Sequence, residues 1–152
     1  MSMLSKINAL LAKAGRILQC PVLLVIRLYW GWQFFVTGKA HLTYLDKTAG
    51  YFASLSIPMP RLNAILVGST ECVGGLLLLA GLFSRFATLA LIFDMCVALW
   101  VAERPAVLAI FRDPDKFLGT DPFLFLYASV LVFAFGPGKI ALDTLVFKEK
   151  AA

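Results

Sequence analysis

A single carboxylate inside an apolar segment constrains this chain more than any other feature. Residues 62–83 are an apolar run long enough to cross a bilayer as an α-helix, and Glu71 lies near the centre of the run. A charge at that depth is costly to insert, so such a residue is by default a hypothesis for a functional site. Gly68 and Gly75 share a helical face with Glu71, and we therefore expect a second helix to approach closely there and meet the charge.

The composition indicates an integral membrane protein. Of the 152 residues, 61% are hydrophobic and 15% are charged, against about 45–50% and about 25% in soluble domains. The net charge of +5 is typical of basic residues that flank membrane helices, which argues against nucleic-acid binding. The three cysteines form no C-x-x-C pair, which argues against a dithiol centre. The first apolar run is also too long for a cleaved signal peptide.

The apolar segments predict an all-α fold, an integral membrane four-helix bundle with short interfacial helices. We expect one domain over residues 1–152, with spans at about 21–37, 62–83, 86–102 and 122–136. Residues 2–18 have the pattern of an amphipathic helix that lies in the headgroup layer. Basic residues are almost evenly divided between the two sides, and we expect both termini in the cytoplasm.

Polar residues near the centres of the four spans predict a buried charged layer formed by Arg27, Glu71, Asp94 and Ser129. If the three ionisable groups lay separately in the membrane, their insertion would cost about 8–10 kcal/mol in total. We therefore expect them to cluster, with Arg27 facing both carboxylates. Two carboxylates competing for one arginine in a low-dielectric medium should share a proton. Two interpretations remain open, a centre that handles protons or a ligand and an ion pair that only specifies helix packing.

These positions define the candidate site residues. Arg27, Glu71 and Asp94 are the candidate catalytic residues. Trp30 and Phe34 follow Arg27 on one helical face and would line a ring site, and Ser129 completes the candidate cofactor-binding set. We expect no metal site, because His41 is the only histidine and has no ligand cluster around it in the sequence, so we interpret it as an interfacial residue.

Several stretches are familiar when they are taken together. They are RLYWGWQF at 27–34 with GK at 38–39, YFASLSIP at 51–58, ECVGGLLLLAGLFSR at 71–85, and FGPG at 135–138 with LD at 142–143. From about residue 22 to residue 143, the chain resembles the DoxX family of small bacterial four-helix membrane proteins.

The resemblance implies a protein of the bacterial inner membrane that takes part in membrane redox chemistry. It suggests a subunit of, or partner in, a quinone-linked oxidoreductase system. No cofactor would be bound covalently, and the electron carrier would be a quinone or lie on a partner redox protein. A second copy of the chain is a further candidate partner. The alternative is a non-enzymatic small transporter or a membrane assembly or scaffold subunit.

Overall fold

A computed structural model describes residues 3–147 and shows eight helices in that range. They are α1 (Met3–Thr43), α2 (Leu45–Ser54), α3 (Pro60–Ala80), α4 (Ser84–Val101), α5 (Arg104–Leu108), α6 (Pro114–Leu118), α7 (Asp121–Phe135) and α8 (Leu142–Val146). The ends of the predicted domain, residues 1–2 and 148–152, lie outside the described residues.

The long helices α1, α3, α4 and α7 pack into a bundle, which confirms the predicted all-α membrane fold. Helix α1 packs against α3 and α7, and α4 packs against the same two helices from the opposite side, while α2 lies against α3. Helices α1, α3 and α4 are each long and apolar enough to cross a membrane. Helix α7 is apolar but has only 15 residues. Large apolar side chains cover the outside of the bundle, where lipid would contact them.

Helix α1 is longer than the predicted first span at both ends. The predicted amphipathic segment is continuous with the span through Pro21, because a proline is tolerated in a membrane helix when neighbouring groups compensate for the missing hydrogen bond. Gly38 does not end the helix either, and α1 continues to Thr43. This later end changes which residues of α1 lie beside Glu71.

Glycines bring the backbones of α1 and α3 into contact, as predicted for Gly68 and Gly75. A Cβ on Gly75 would lie 2.7 Å from the Gly31 carbonyl oxygen, and a Cβ on Gly38 would lie 2.7 Å from that of Gly68. Side-chain atoms almost never come that close, so this antiparallel contact requires glycine. The contact also sets the register, with Gly31 opposite Gly75 and Gly38 opposite Gly68.

The core of the bundle draws on all four long helices. Its buried apolar cluster is Phe34, Leu78, Leu91, Met95 and Val132. Phe34, Leu78, Leu91 and Val132 are each 0% exposed. The core therefore packs tightly beside the glycine contact, and neither can shift without disturbing the other.

The glycine contact generates a stability prediction. We expect Gly38→Ala to lower the free energy of unfolding by about 1–3 kcal/mol, because the new methyl group would push α3 away from α1. Gly50→Ala is the matched control. It lies in α2, where a Cβ would have no atom within 4 Å, and should be neutral or stabilise by up to about 1 kcal/mol. Thermal unfolding in detergent compares the two variants, and equal melting temperatures would contradict the register.

Candidate ligand cavity and the Arg27 cluster

Arg27 is held by main-chain carbonyls rather than by a carboxylate. Its side chain is deeply buried, at 2% exposed. Nε donates to the Leu78 carbonyl at 3.0 Å and Nη2 donates to that of Leu79 at 3.1 Å. Nη1 donates to the carbonyls of Pro137 at 2.6 Å and Ile140 at 2.8 Å. The guanidinium therefore joins the end of α3 to the segment that follows α7.

The last carbonyls of a helix lack intrahelical donors, and a cation near them is favourable. The residue that follows α3 is Gly81, whose φ of +66° lies in the left-handed region. A Cβ on Gly81 would lie 2.5 Å from Nη2 of Arg27. Glycine at this position thus supplies both the backbone conformation and the room that the guanidinium occupies.

Asp143 completes this end of the bundle from α8. Its carboxylate accepts hydrogen bonds from the backbone N–H groups of Phe83 at 2.6 Å and Ser84 at 2.9 Å, at the start of α4. A carboxylate is favourable at a helix N-terminus for the same reason that Arg27 is favourable at a C-terminus. Arg27 and Asp143 therefore bind opposite sides of the turn between α3 and α4.

The predicted pairing of Arg27 with Glu71 is wrong, and the single charged layer divides into two sites. The prediction centred the first span near residue 29, whereas α1 continues to Thr43. The glycine register places Gly38, not Arg27, beside Glu71, since a Cβ on Gly38 would contact the Glu71 Cβ at 2.8 Å. Gly38 lies about 16 Å farther along the helix axis than Arg27 at 1.5 Å per residue.

Glu71 meets His41 instead. Nδ1 of His41 lies 2.9 Å from Oε2 of Glu71, and the side chains are 31% and 5% exposed, respectively. Neither atom has another hydrogen-bond partner within residues 3–147. The sequence interpretation of His41 as an interfacial residue missed this contact. Helical spacing is the signal that could have indicated it. Phe34 and Gly38 lie on the buried face of α1, and His41 follows Gly38 by three residues on the same face.

Asp94 lies close to this pair, which agrees with its predicted position near Glu71 but not with the predicted position of both near Arg27. The Leu91 side chain packs on Gly74, and in an antiparallel pair of helices a step of three residues from that contact brings Asp94 towards Glu71. Asp94 is near enough for its charge to interact with those of Glu71 and His41. It is 9% exposed, and its Oδ2 has no hydrogen-bond partner in the described part of the chain.

These three residues line a cavity of about 630 Å³, at the end of the bundle where α4 finishes and α7 begins. This volume is within the range of small-molecule sites, about 300–1,000 Å³. The ionisable lining residues are His41, Glu71, Asp94, Glu103 and Asp121, the aromatic ones are Tyr51, Phe52 and Phe125, and much of the remaining wall is apolar, including Ile57, Val67, Met95, Val97, Ala98 and Val101. The cavity combines an apolar wall with a few convergent polar groups, as ligand sites do.

The three predicted cofactor-binding residues lie behind the cavity wall. The rings of Phe34 and Trp30 pack against Phe125, with centroids 4.6 and 4.9 Å away. The Ser129 hydroxyl donates to the Phe125 carbonyl at 2.9 Å. None of the three lines the cavity, whereas Phe125 does. Their effect on a ligand would therefore be exerted through the position of Phe125.

Comparisons with known proteins agree with the fold. A family model described as DoxX matches residues 22–104. The chain is 30% identical over 144 residues to an uncharacterized membrane protein of Mycobacterium tuberculosis, covering 87% of this chain and 85% of that protein. It is 27% identical over 129 residues to a Bacillus subtilis protein named "Putative oxidoreductase CatD", covering 84% and 88%. No solved structure matches the chain significantly.

The separation of the two charged sites can be tested by double-mutant cycles. Arg27→Met should destabilise the protein, because the carbonyls of Leu79, Pro137 and Ile140 lose the donor that Arg27 supplies, and each unsatisfied buried group costs about 1–3 kcal/mol. The Leu78 carbonyl keeps the Gly81 N–H as a donor. Combined with Glu71→Gln, its effect should be additive within about 0.5 kcal/mol, because the residues share no partner.

The matched cycle is His41→Gln with Glu71→Gln, since those two side chains are in contact. Its coupling energy should fall at about 0.5–3 kcal/mol. Thermal unfolding in detergent measures both cycles. A large coupling between Arg27 and Glu71, with none between His41 and Glu71, would refute the observed register.

Proposed function

The chain belongs to the DoxX family, and on that basis we propose that it is a quinone-binding subunit of, or partner in, an oxidoreductase system of the bacterial inner membrane. The observation that carries the proposal is the cavity, which places His41, Glu71 and Asp94 against an aromatic and apolar wall inside a membrane bundle. The name of the Bacillus subtilis relative supports redox chemistry as the class of activity.

The lining residues fit a quinone. A quinone supplies two-electron redox chemistry that is coupled to the uptake or release of protons. Its ring is flat and apolar, and Tyr51, Phe52 and Phe125 offer aromatic surfaces on which such a ring can stack. Its oxygens need polar partners, and Asp94 and His41 supply them within the same cavity. The volume of about 630 Å³ accommodates a ring with part of its tail.

The three ionisable groups are suited to moving protons. Asp94 is buried and can hold a proton on its unpartnered Oδ2. Glu71 is a second carboxylate on the neighbouring helix, and it contacts His41 at 2.9 Å. His41 is the most exposed of the three, and imidazole is a common side chain for proton transfer. All three groups line the same cavity, where they could exchange protons with a bound quinone by general acid–base chemistry.

The two interpretations of the charged layer now apply to different residues. Arg27 satisfies carbonyls at the end of α3, and this observation favours a packing role for it. Glu71 and Asp94 line a cavity, which favours ligand or proton handling. Electrons would then reach the quinone from a partner redox protein in or at the membrane.

Quinone binding can be tested by filling the cavity. Ala98 lines the cavity on α4, and we expect Ala98→Phe to weaken binding of decylubiquinone or menadione by at least about tenfold, equivalent to about 1.4 kcal/mol. Ala90→Phe is the matched control, because Ala90 is exposed on the same helix and outside the lining. Equilibrium titration of the purified protein in detergent measures both. A wild type that binds neither quinone would overturn the proposal.

Proton handling can be tested by infrared difference spectroscopy. Reduction of quinone bound to the wild type should change a carboxyl C=O band, because protons exchanged with the quinone pass through buried carboxyl groups. Asp94→Asn should remove that change, since the amide cannot exchange the proton. Asp115→Asn, an exposed residue of α6, should retain it. Spectra without any carboxyl change on reduction would exclude the path through Asp94.

A further inference from the structure

Most of the ionisable side chains that line the cavity are acidic. Its carboxylates are Glu71, Asp94, Glu103 and Asp121, and His41 is the only other ionisable group of its lining apart from Tyr51. No lysine or arginine belongs to the described lining. A quinone does not require this excess, because its oxygens are uncharged before reduction and need only hydrogen-bond partners.

Among the described residues, the Asp94 carboxylate has no salt-bridge partner. Asp94 is 9% exposed, and Oδ2 has no hydrogen-bond partner within residues 3–147. The nearby imidazole of His41 is paired with Glu71, since its Nδ1 lies 2.9 Å from Oε2 of Glu71. Leaving a buried carboxylate oxygen without a donor is unfavourable, and either a proton or a positively charged donor would relieve the cost.

We propose that the cavity binds lipophilic organic cations, protonated amines on an aromatic or apolar body, with Asp94 as their counter-ion. The ammonium group would donate to Oδ2 of Asp94 in a charge-assisted hydrogen bond. The body of the ligand would pack on the apolar wall, and the faces of Tyr51, Phe52 and Phe125 attract a cation as well. This inference goes beyond the proposed quinone chemistry and does not depend on it.

The two outer carboxylates favour the same class of ligand. Glu103 lies just after the end of α4 and Asp121 begins α7, so both belong to the helix-end side of the cavity. Carboxylates that line a cleft with low-dielectric walls raise the local concentration of cations there. An amine would therefore meet negative charge on entry and again at Asp94.

The experiment compares a matched pair of ligands, naphthylmethylamine and naphthylmethanol, which differ in charge but little in size. Equilibrium dialysis with the full chain in maltoside detergent measures each dissociation constant at neutral pH, where the amine is protonated. We expect the wild type to bind the amine at least about tenfold more tightly than the alcohol. Equal affinities for the two ligands would overturn the proposal.

Variants then locate the counter-ion. Asp94→Asn should abolish the preference for the amine, and Asp115→Asn, an exposed acid outside the lining, should retain it. A preference that survives in Asp94→Asn would overturn the assignment. If Asp94→Asn does not fold by circular dichroism, Ala98→Phe serves in its place, since it narrows the cavity and should weaken amine binding. Unchanged amine binding in Ala98→Phe would then overturn the proposal.

Decylubiquinone titrations on the same samples separate the two proposals. Amine selectivity without quinone binding would overturn only the quinone function. Quinone binding without amine selectivity would overturn only the cation site.

Discussion

The close contact between the backbones of α1 and α3 determines the rest of the structure. Four glycines, Gly31, Gly38, Gly68 and Gly75, allow the two helices to approach to a distance that any side chain would prevent. The contact leaves no freedom to slide one helix along the other, because each glycine faces backbone or side-chain atoms of its partner. The register that follows brings the end of α1 to the middle of α3, and brings the middle of α1, at Arg27 and Gly31, to the end of α3.

The protein uses buried charge in two physically different ways as a result of that register. Arg27 directs its donors to four carbonyls, so its desolvation is offset by hydrogen bonds and it stabilises the ends of the bundle. Asp94 has a carboxylate oxygen without a donor beside an open cavity. A polar group left unsatisfied in a membrane protein is costly, and such groups mark sites of function. Burial alone would not have distinguished the two residues, since both are almost fully buried.

The cavity depends on where helices end as much as on what they contain. Its lining comes from α1, α2, α3, α4 and α7, together with the segment between α2 and α3 and the two residues that follow α4. Prolines at 58 and 60 and the early end of α4 leave space that continuous helices would fill. Aromatic packing of Phe34 and Trp30 then holds Phe125 at the wall. A quinone site and a cation site are compatible uses of this space, because both need an aromatic wall and a polar end.

The amino-acid sequence was sufficient to predict the membrane class, the all-α bundle, the glycine face around Glu71 and the presence of Glu71 and Asp94 at a common depth. These follow from local properties, namely apolar length, helical spacing and the cost of a charge in hydrocarbon. The contact of Glu71 with His41 and the binding of Arg27 to carbonyls became visible only in the folded bundle. Pairing across helices depends on register, and register depends on the backbone contact at the glycines and on the end of α1 at Thr43. Gly38 lies beside Glu71 instead of Arg27, a difference of about 16 Å along the axis of α1, which is enough to exchange one partner for another.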